Sequence, residues 1–558
     1  MDRRSFLGLN QEKGVSKTLT PRQIHSGLSP YAGPWTKVQA SHLLRRSLFG
    51  PKASEINWSV NAGLDASLDA LLANQSSPEP PVNFYDSADP TVPIGNTWID
   101  APYVDGGRNG RRRISLFAWS MGLMIHQGIS LREKMTLFWL NHFAVERTVV
   151  VDSRFLYRYG QLLRNNALGN FQRLVEDMTI DPSMLRYLNG NQNVRQTDDG
   201  GQTYVASNEN YGRELFELFT MGKGDDGTEV YFTEDDVRAA ARVLTGWRDR
   251  GYASNRRDIE VEFRANRHDA TPKQFSSLFN NQIITDNGEN EYKDLIQMIF
   301  DQDETARFIC RKLYRWFVYY EIDDAVESQV IDPMASLLRS SNYEIEPVVR
   351  ALLASEHFYD VVNVGCVIKN PLEFSVGILR QFEVEFPEYP NILPQYWHWY
   401  RIYTESTNQL MEFMNPPNVA GWPAYYQLPR YHAYWISSVT LPTRQNTVSL
   451  YNKDRGYQSS GFRTLIQPLE LLGFISDPLD PNTLISEWAE LLFPQALDQS
   501  QLDFLKEVLI PGLPDYEWTL EYRNYLRDPA DQELKASVLS KLRDLIDTMM
   551  NLAEFHLC

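Results

Sequence analysis

The chain has 558 residues, with 54 Lys+Arg against 72 Asp+Glu, a formal net charge of -18 and a hydrophobic fraction of 43%. That apolar content excludes a disordered chain and supplies a large core. The acidic balance, with no basic run longer than Arg111-Arg112-Arg113, repels phosphate backbones and excludes nucleic acid as the expected partner.

The first residues, Met1-Asp2-Arg3-Arg4-Ser5-Phe6-Leu7-Gly8, open like a twin-arginine export signal. Asn10-Gln11-Glu12-Lys13-Gly14 then stands where an apolar stretch belongs. The expectation is a degenerate start on an N-terminal arm, residues 1–34. It points to the periplasm or cell envelope, with the cytoplasm as the alternative. Residues 75–98 are rich in Pro, Ser and Asp and read as an irregular excursion. The apolar stretch 116–125 falls short of the ~20 residues that a spanning helix needs, so no transmembrane segment is expected.

Helix signals dominate the remainder of the chain. Ser130 with Glu133 reads as a capping box. Asp181-Pro182 and Asn370-Pro371 each read as an N-cap before a first-turn proline. Thr233, with acidic residues behind it, starts a helix that Gly246 can end. Amphipathic patterns over 304–320, 347–358, 372–382 and 535–552 extend the helical reading. Strand signals are few: 259–263 alternates, and 282–285 is its expected partner across the loop. The expected fold class is mostly α, a large multi-helical globular fold with a small β-hairpin insertion. A main helical domain is placed at 35–455, with a C-terminal helical lobe, 456–558, packed on it.

Familiar catalytic signatures are missing. Gly222 to Gly227 matches a dinucleotide fingerprint in letters but follows a helix, which is the wrong context. The three cysteines, Cys310, Cys366 and Cys558, have neither the number for a disulfide framework nor the spacing of a zinc site.

Three polar groups carry the functional expectation. His142 lies on the helical face of Leu131, Met135, Phe138 and Trp139. It is therefore a core histidine or a buried base held by a distant carboxylate. Along 208–221, Asn210, Arg213, Glu214 and Glu217 share one stripe. That stripe is an ordinary surface face stabilised by Glu209 and Arg213, or a cleft wall. In the cleft reading Glu214 and Glu217 hold a divalent cation or act as an acid/base pair, and Arg213 binds an anion. His268, with Asp269 and Lys273, sits on a loop after the strand and can reach a neighbouring helix. Aromatic runs at 396–403 and 425–435 read as core packing, or as sugar-stacking surfaces with Glu405 or Glu412 beside them.

Seven phrases, in order, resemble the bacterial domain-of-unknown-function family number eighteen hundred. They are His42-Leu43-Leu44-Arg45-Arg46-Ser47-Leu48-Phe49-Gly50, Trp139-Leu140-Asn141-His142-Phe143, and the run from Asn208 through Asn210, Arg213, Glu214 and Glu217 to Gly222. Leu244-Thr245-Gly246-Trp247, His268-Asp269 with Lys273, Ile368-Lys369-Asn370-Pro371-Leu372-Glu373, and Pro416-Pro417-Asn418-Val419-Ala420-Gly421-Trp422-Pro423 complete the series. The resemblance implies a large, helical, often exported bacterial protein of no established activity, frequently encoded beside a phosphatase-like partner family. Two functional expectations stand. One is a cell-envelope hydrolase-like enzyme with His142, Glu214, Glu217 and His268 as catalytic groups. In it Asn208, Asn210, Arg213 and Lys273 bind ligand, and a divalent cation is the candidate cofactor. The other is a non-catalytic envelope scaffold or binding protein for a protein partner, a small molecule or a glycan.

Overall fold

Helix starts are set by short-range capping. Asp181 accepts hydrogen bonds from the backbone N–H groups of Ser183 (2.9 Å) and Met184 (3.0 Å) at the head of helix Pro182–Tyr187. Asn370 and Glu373 form a reciprocal box on helix Pro371–Gln381, and Thr233 and Asp236 form another on helix Glu234–Val243. These are the starts that the sequence predicts. The expected Ser130 box does not form. Helix Arg132–His142 begins two residues after that serine, and Glu133 turns away to hold Arg164 through two 2.9 Å bonds. A charge-assisted bidentate pair outweighs a local cap.

A computed structural model describes residues 26–197, 203–206, 208–224 and 230–558. The twin-arginine-like start and most of the glycine-bearing loop after Gly224 lie outside the described residues. The molecule is mostly helical, with its few short strands in small antiparallel pairs. Helix Ile392–Asn408 lies along helix Gly106–His126, with Phe117 and Tyr403 stacked at 4.8 Å between ring centroids. The 396–403 aromatics thus supply core: Tyr396, Trp399 and Tyr403 are buried in the single apolar cluster that also holds Leu43, Trp139, Leu215 and Leu542. No helix among the described residues is long and apolar enough to cross a membrane.

The expected strand pairing is corrected. Glu260–Phe263 pairs with Trp247–Arg250, with Trp247 opposite Phe263 and Arg250 opposite Glu260. Ile283–Ile284 pairs instead with Lys273–Gln274. Gly251, at φ +87°, turns the chain directly out of Trp247–Arg250, and the nearer partner wins because the shorter loop costs less to close.

The last described residues return to the main body. Lys369 donates its N–H to His556 O (2.8 Å), and Cys558 donates its N–H to Val367 O (2.8 Å). They are reached from helix Gln532–Asn551, which packs on helix Thr440–Asn452.

Candidate functional site

The helix from Asn210 changes its winding after one turn. Residues Asn210–Glu214 are α-helical and Leu215–Thr220 form a π-helix. A π segment widens the turn and leaves carbonyls at its end in need of donors. His142 and Lys312 supply them. His142 Nε2 lies 3.1 Å from Phe219 O, and Lys312 Nζ donates to Leu218 O (3.1 Å) and to His142 Nδ1 (3.1 Å). Both imidazole nitrogens are therefore used, with Nδ1 accepting and Nε2 carrying the proton. Burial, then the Lys312 charge, hold the His142 pKa well below the ordinary histidine value. The ring sits among Phe138, Trp139, Phe143 and Phe171, as its helical face predicts.

On the outer side of the same segment Arg213 meets Glu234 (2.7 and 2.8 Å), Glu209 (3.3 Å) and Glu217 (3.6 Å), and Lys223 meets Glu217 at 2.7 Å. Glu214 is half-buried and forms no ion pair among the described residues. Burial, then the like charge of Glu217, raise its pKa. Asn208 and Asn210 stay within the turn, where the Asn208 side chain accepts from Asn210 N–H (3.1 Å) and donates to Asn189 O (3.2 Å).

His268 and Lys273 are brought together through Glu291, a residue the sequence does not single out. His268 Nε2 donates to Glu291 Oε2 at 2.8 Å, while Nδ1 faces Thr245 O at 3.0 Å. Lys273 Nζ forms an ion pair with the other oxygen of Glu291 and donates to Asp269 O. His268, Lys273 and Glu291 are all buried. Asp269 leaves His268 aside and pairs with Arg242 (2.7 Å). With exposed Asp286, His268 and Glu291 place three donor atoms within 4.8 Å of one another, the one such group among the described residues. A cation fits poorly there because the Lys273 ammonium already neutralises the carboxylate.

Sequence reasoning passes over the most unusual concentration of charge. Arg45, Arg46, Lys134, Lys369 and Arg444 are all buried around Glu373. Of these five only Lys134 forms an ion pair among the described residues, with Glu373. Burial works to raise the Glu373 pKa, but Lys134 and then Arg46 outweigh it and hold the carboxyl below its usual range. Burial, then Arg45, bring Lys369 down to about 7. Burial likewise brings Arg444 down to about 9. The compensation comes from carbonyls. Arg46 donates to Trp316 O (2.8 Å) and Phe317 O (2.9 Å) at the end of helix Asp303–Phe317, and to Cys558 Sγ (2.7 Å). Arg45 donates to Glu490, Leu491 and Leu492 carbonyls at 3.3, 2.5 and 3.1 Å, closing helix Pro481–Leu492. Lys369 reaches Phe555 O (2.6 Å), and Arg444 reaches Lys369 O (2.7 Å). Each cation sits where the helix dipole or a loose carbonyl is negative. The signal in the sequence is Arg45-Arg46 directly after Leu43-Leu44, within one buried stretch of helix. Beside this cluster Arg46, Asn370, Glu373, Tyr425 and His432 line a cavity of about 30 Å³, room for two or three waters at ~10–15 Å³ each.

The phrases quoted from the sequence also touch one another. Asn141 Oδ1 accepts from Trp422 N–H (2.9 Å), and Gly421, at φ +89°, passes so close to Asn141 that a Cβ would overlap it. Thr245 faces His268, and Asn370 donates to Tyr425 Oη (3.0 Å). No curated protein and no solved structure matches the chain. A family model described as protein of unknown function (DUF1800) matches residues 42–556. With nearly its whole length matched, and with the matching phrases meeting in one frame, the chain belongs to the DUF1800 family.

Proposed function

We propose that this protein is a non-catalytic binding or scaffold protein in which the polar family phrases build a rigid frame. The cell-envelope part of that reading rests on the twin-arginine-like start alone. The observation that carries the frame is the use made of the buried histidines and of the cations beside them. His142 and Lys312 close the π segment, Arg45 and Arg46 close two helices, and His268 and Lys273 share Glu291. Catalytic groups need a free proton site facing a reacting atom, and His142 has both nitrogens engaged inside the core.

The test is stability. His142→Ala and Glu291→Gln each remove one partner of a buried network, which costs about 2–5 kcal/mol in urea denaturation. If either variant keeps wild-type stability yet loses turnover of an ester or glycoside substrate, the frame reading fails.

One observation favours a second reading. Glu214 has no ion pair among the described residues and a raised pKa beside Glu217, the combination a general acid needs. Glu214→Gln belongs in the same panel. Under the frame reading it leaves binding and stability intact, whereas under the acid/base reading it alone removes turnover.

A further inference from the structure

Outside that frame, the hairpin Trp247–Arg250/Glu260–Phe263 carries a groove of about 350 Å³ lined by Arg186, Arg248, Arg250, Tyr252, Arg256 and Arg264. Five guanidiniums line it against three carboxylates, Asp249 in its wall and Glu260 and Glu262 on the facing strand. Arg186 pairs with Asp249 (2.7 Å), and Arg250 (2.7 Å) and Arg264 (3.0 Å) share Glu262. Exposed Arg248 and Arg256 form no ion pair among the described residues. Two positive charges are therefore left over locally, on a chain whose net charge is -18.

The groove is also held in shape from below. Buried Arg154, locked on Asp152 (2.7 Å), donates to Gly251 O (2.8 Å) and Arg256 O (2.7 Å), and Asp152 accepts from Ala253 N–H (3.0 Å). The 251–256 lip is thus fastened at three backbone points. Tyr252 is fixed by donating to Val149 O (3.2 Å) and accepting from Val151 N–H (3.0 Å), and the Arg186 guanidinium lies 3.6 Å above its ring. Gly251 is needed here, since a Cβ would strike Asp258 O.

Planar guanidiniums in fixed orientation match the paired oxygens of a phosphate, and a preformed site loses little freedom on binding. We propose that this groove binds a small soluble ligand carrying two or more phosphate groups. The volume suits one small molecule and is too short for a nucleic-acid duplex. None of His142, Glu214 and Glu291 lines the groove, so its binding is tested apart from their roles.

Inorganic tripolyphosphate is titrated calorimetrically into the full chain. Binding is expected to be at least tenfold tighter than for orthophosphate or citrate. It is expected to weaken at least tenfold in Arg248→Ala/Arg256→Ala, two exposed positions whose loss spares the fold. Arg523→Ala/Arg527→Ala, on a distant exposed helix face, is expected to bind like the wild type. Absence of binding to the wild type, equal affinity for citrate, or equal loss in both double variants overturns the proposal.

Discussion

At the scale of single residues, the molecule spends its buried charge on backbone carbonyls. Lys369 is the clearest titratable case, because its pKa falls from the ordinary lysine value to about 7 in the folded state. The unfolded chain then binds the proton more tightly between pH 7 and roughly 10.4, so stability rises with pH across that window. Below pH 7 both states are protonated and the penalty is fully present. Lys369→Met lacks this dependence. Wild-type stability relative to the variant is expected to rise by up to ~1.4 kcal/mol per pH unit from pH 7 to 10 in urea denaturation. Parallel curves would refute the buried-ammonium account.

At the scale of elements, the sequence is legible where causes are local. The caps at Asp181, Thr233 and Asn370 depend on residues two or three positions away, and each forms as expected. The apolar face that buries His142 follows from helical spacing within one segment. What the sequence leaves unread are partners set by tertiary packing. Glu133 binds Arg164 31 residues away, Lys312 reaches His142 across 170 residues, and Glu291, at the start of a helix, lies 23 residues from His268 on its loop. The π winding of Leu215–Thr220 is likewise hidden, because its sequence fits an α-helical pattern equally well. The turn at Gly421 gives a test at this scale. Gly421→Ala must adopt φ +89° and displace Asn141, so it is expected to cost more than the ~1–3 kcal/mol of backbone strain alone. Thermal melting checks it, and an unchanged midpoint would mean that the Asn141 to Trp422 contact does not hold this turn.

At the scale of the whole molecule, the first described helix and the last described residues share one polar cluster. Arg45 closes helix Pro481–Leu492, and Arg46 holds Cys558 and the end of helix Asp303–Phe317. Segments joined through buried cations cannot melt separately without exposing uncompensated carbonyls and charges. Calorimetry is therefore expected to give one cooperative transition; an early separate transition for residues 456–558 would contradict the shared cluster.

The Arg46 to Cys558 bond spans 512 residues. A ribosome adding about 5–20 residues per second needs roughly half a minute to two minutes to make that stretch. Arg46 lacks Cys558 through all of that time, Arg45 lacks Leu492 O for 447 residues of it, and Lys369, once made, waits 186 residues for Phe555 O. The nascent chain therefore has a built-in delay, open to chaperones or to a transport machinery, that lasts until the helices carrying those partners emerge.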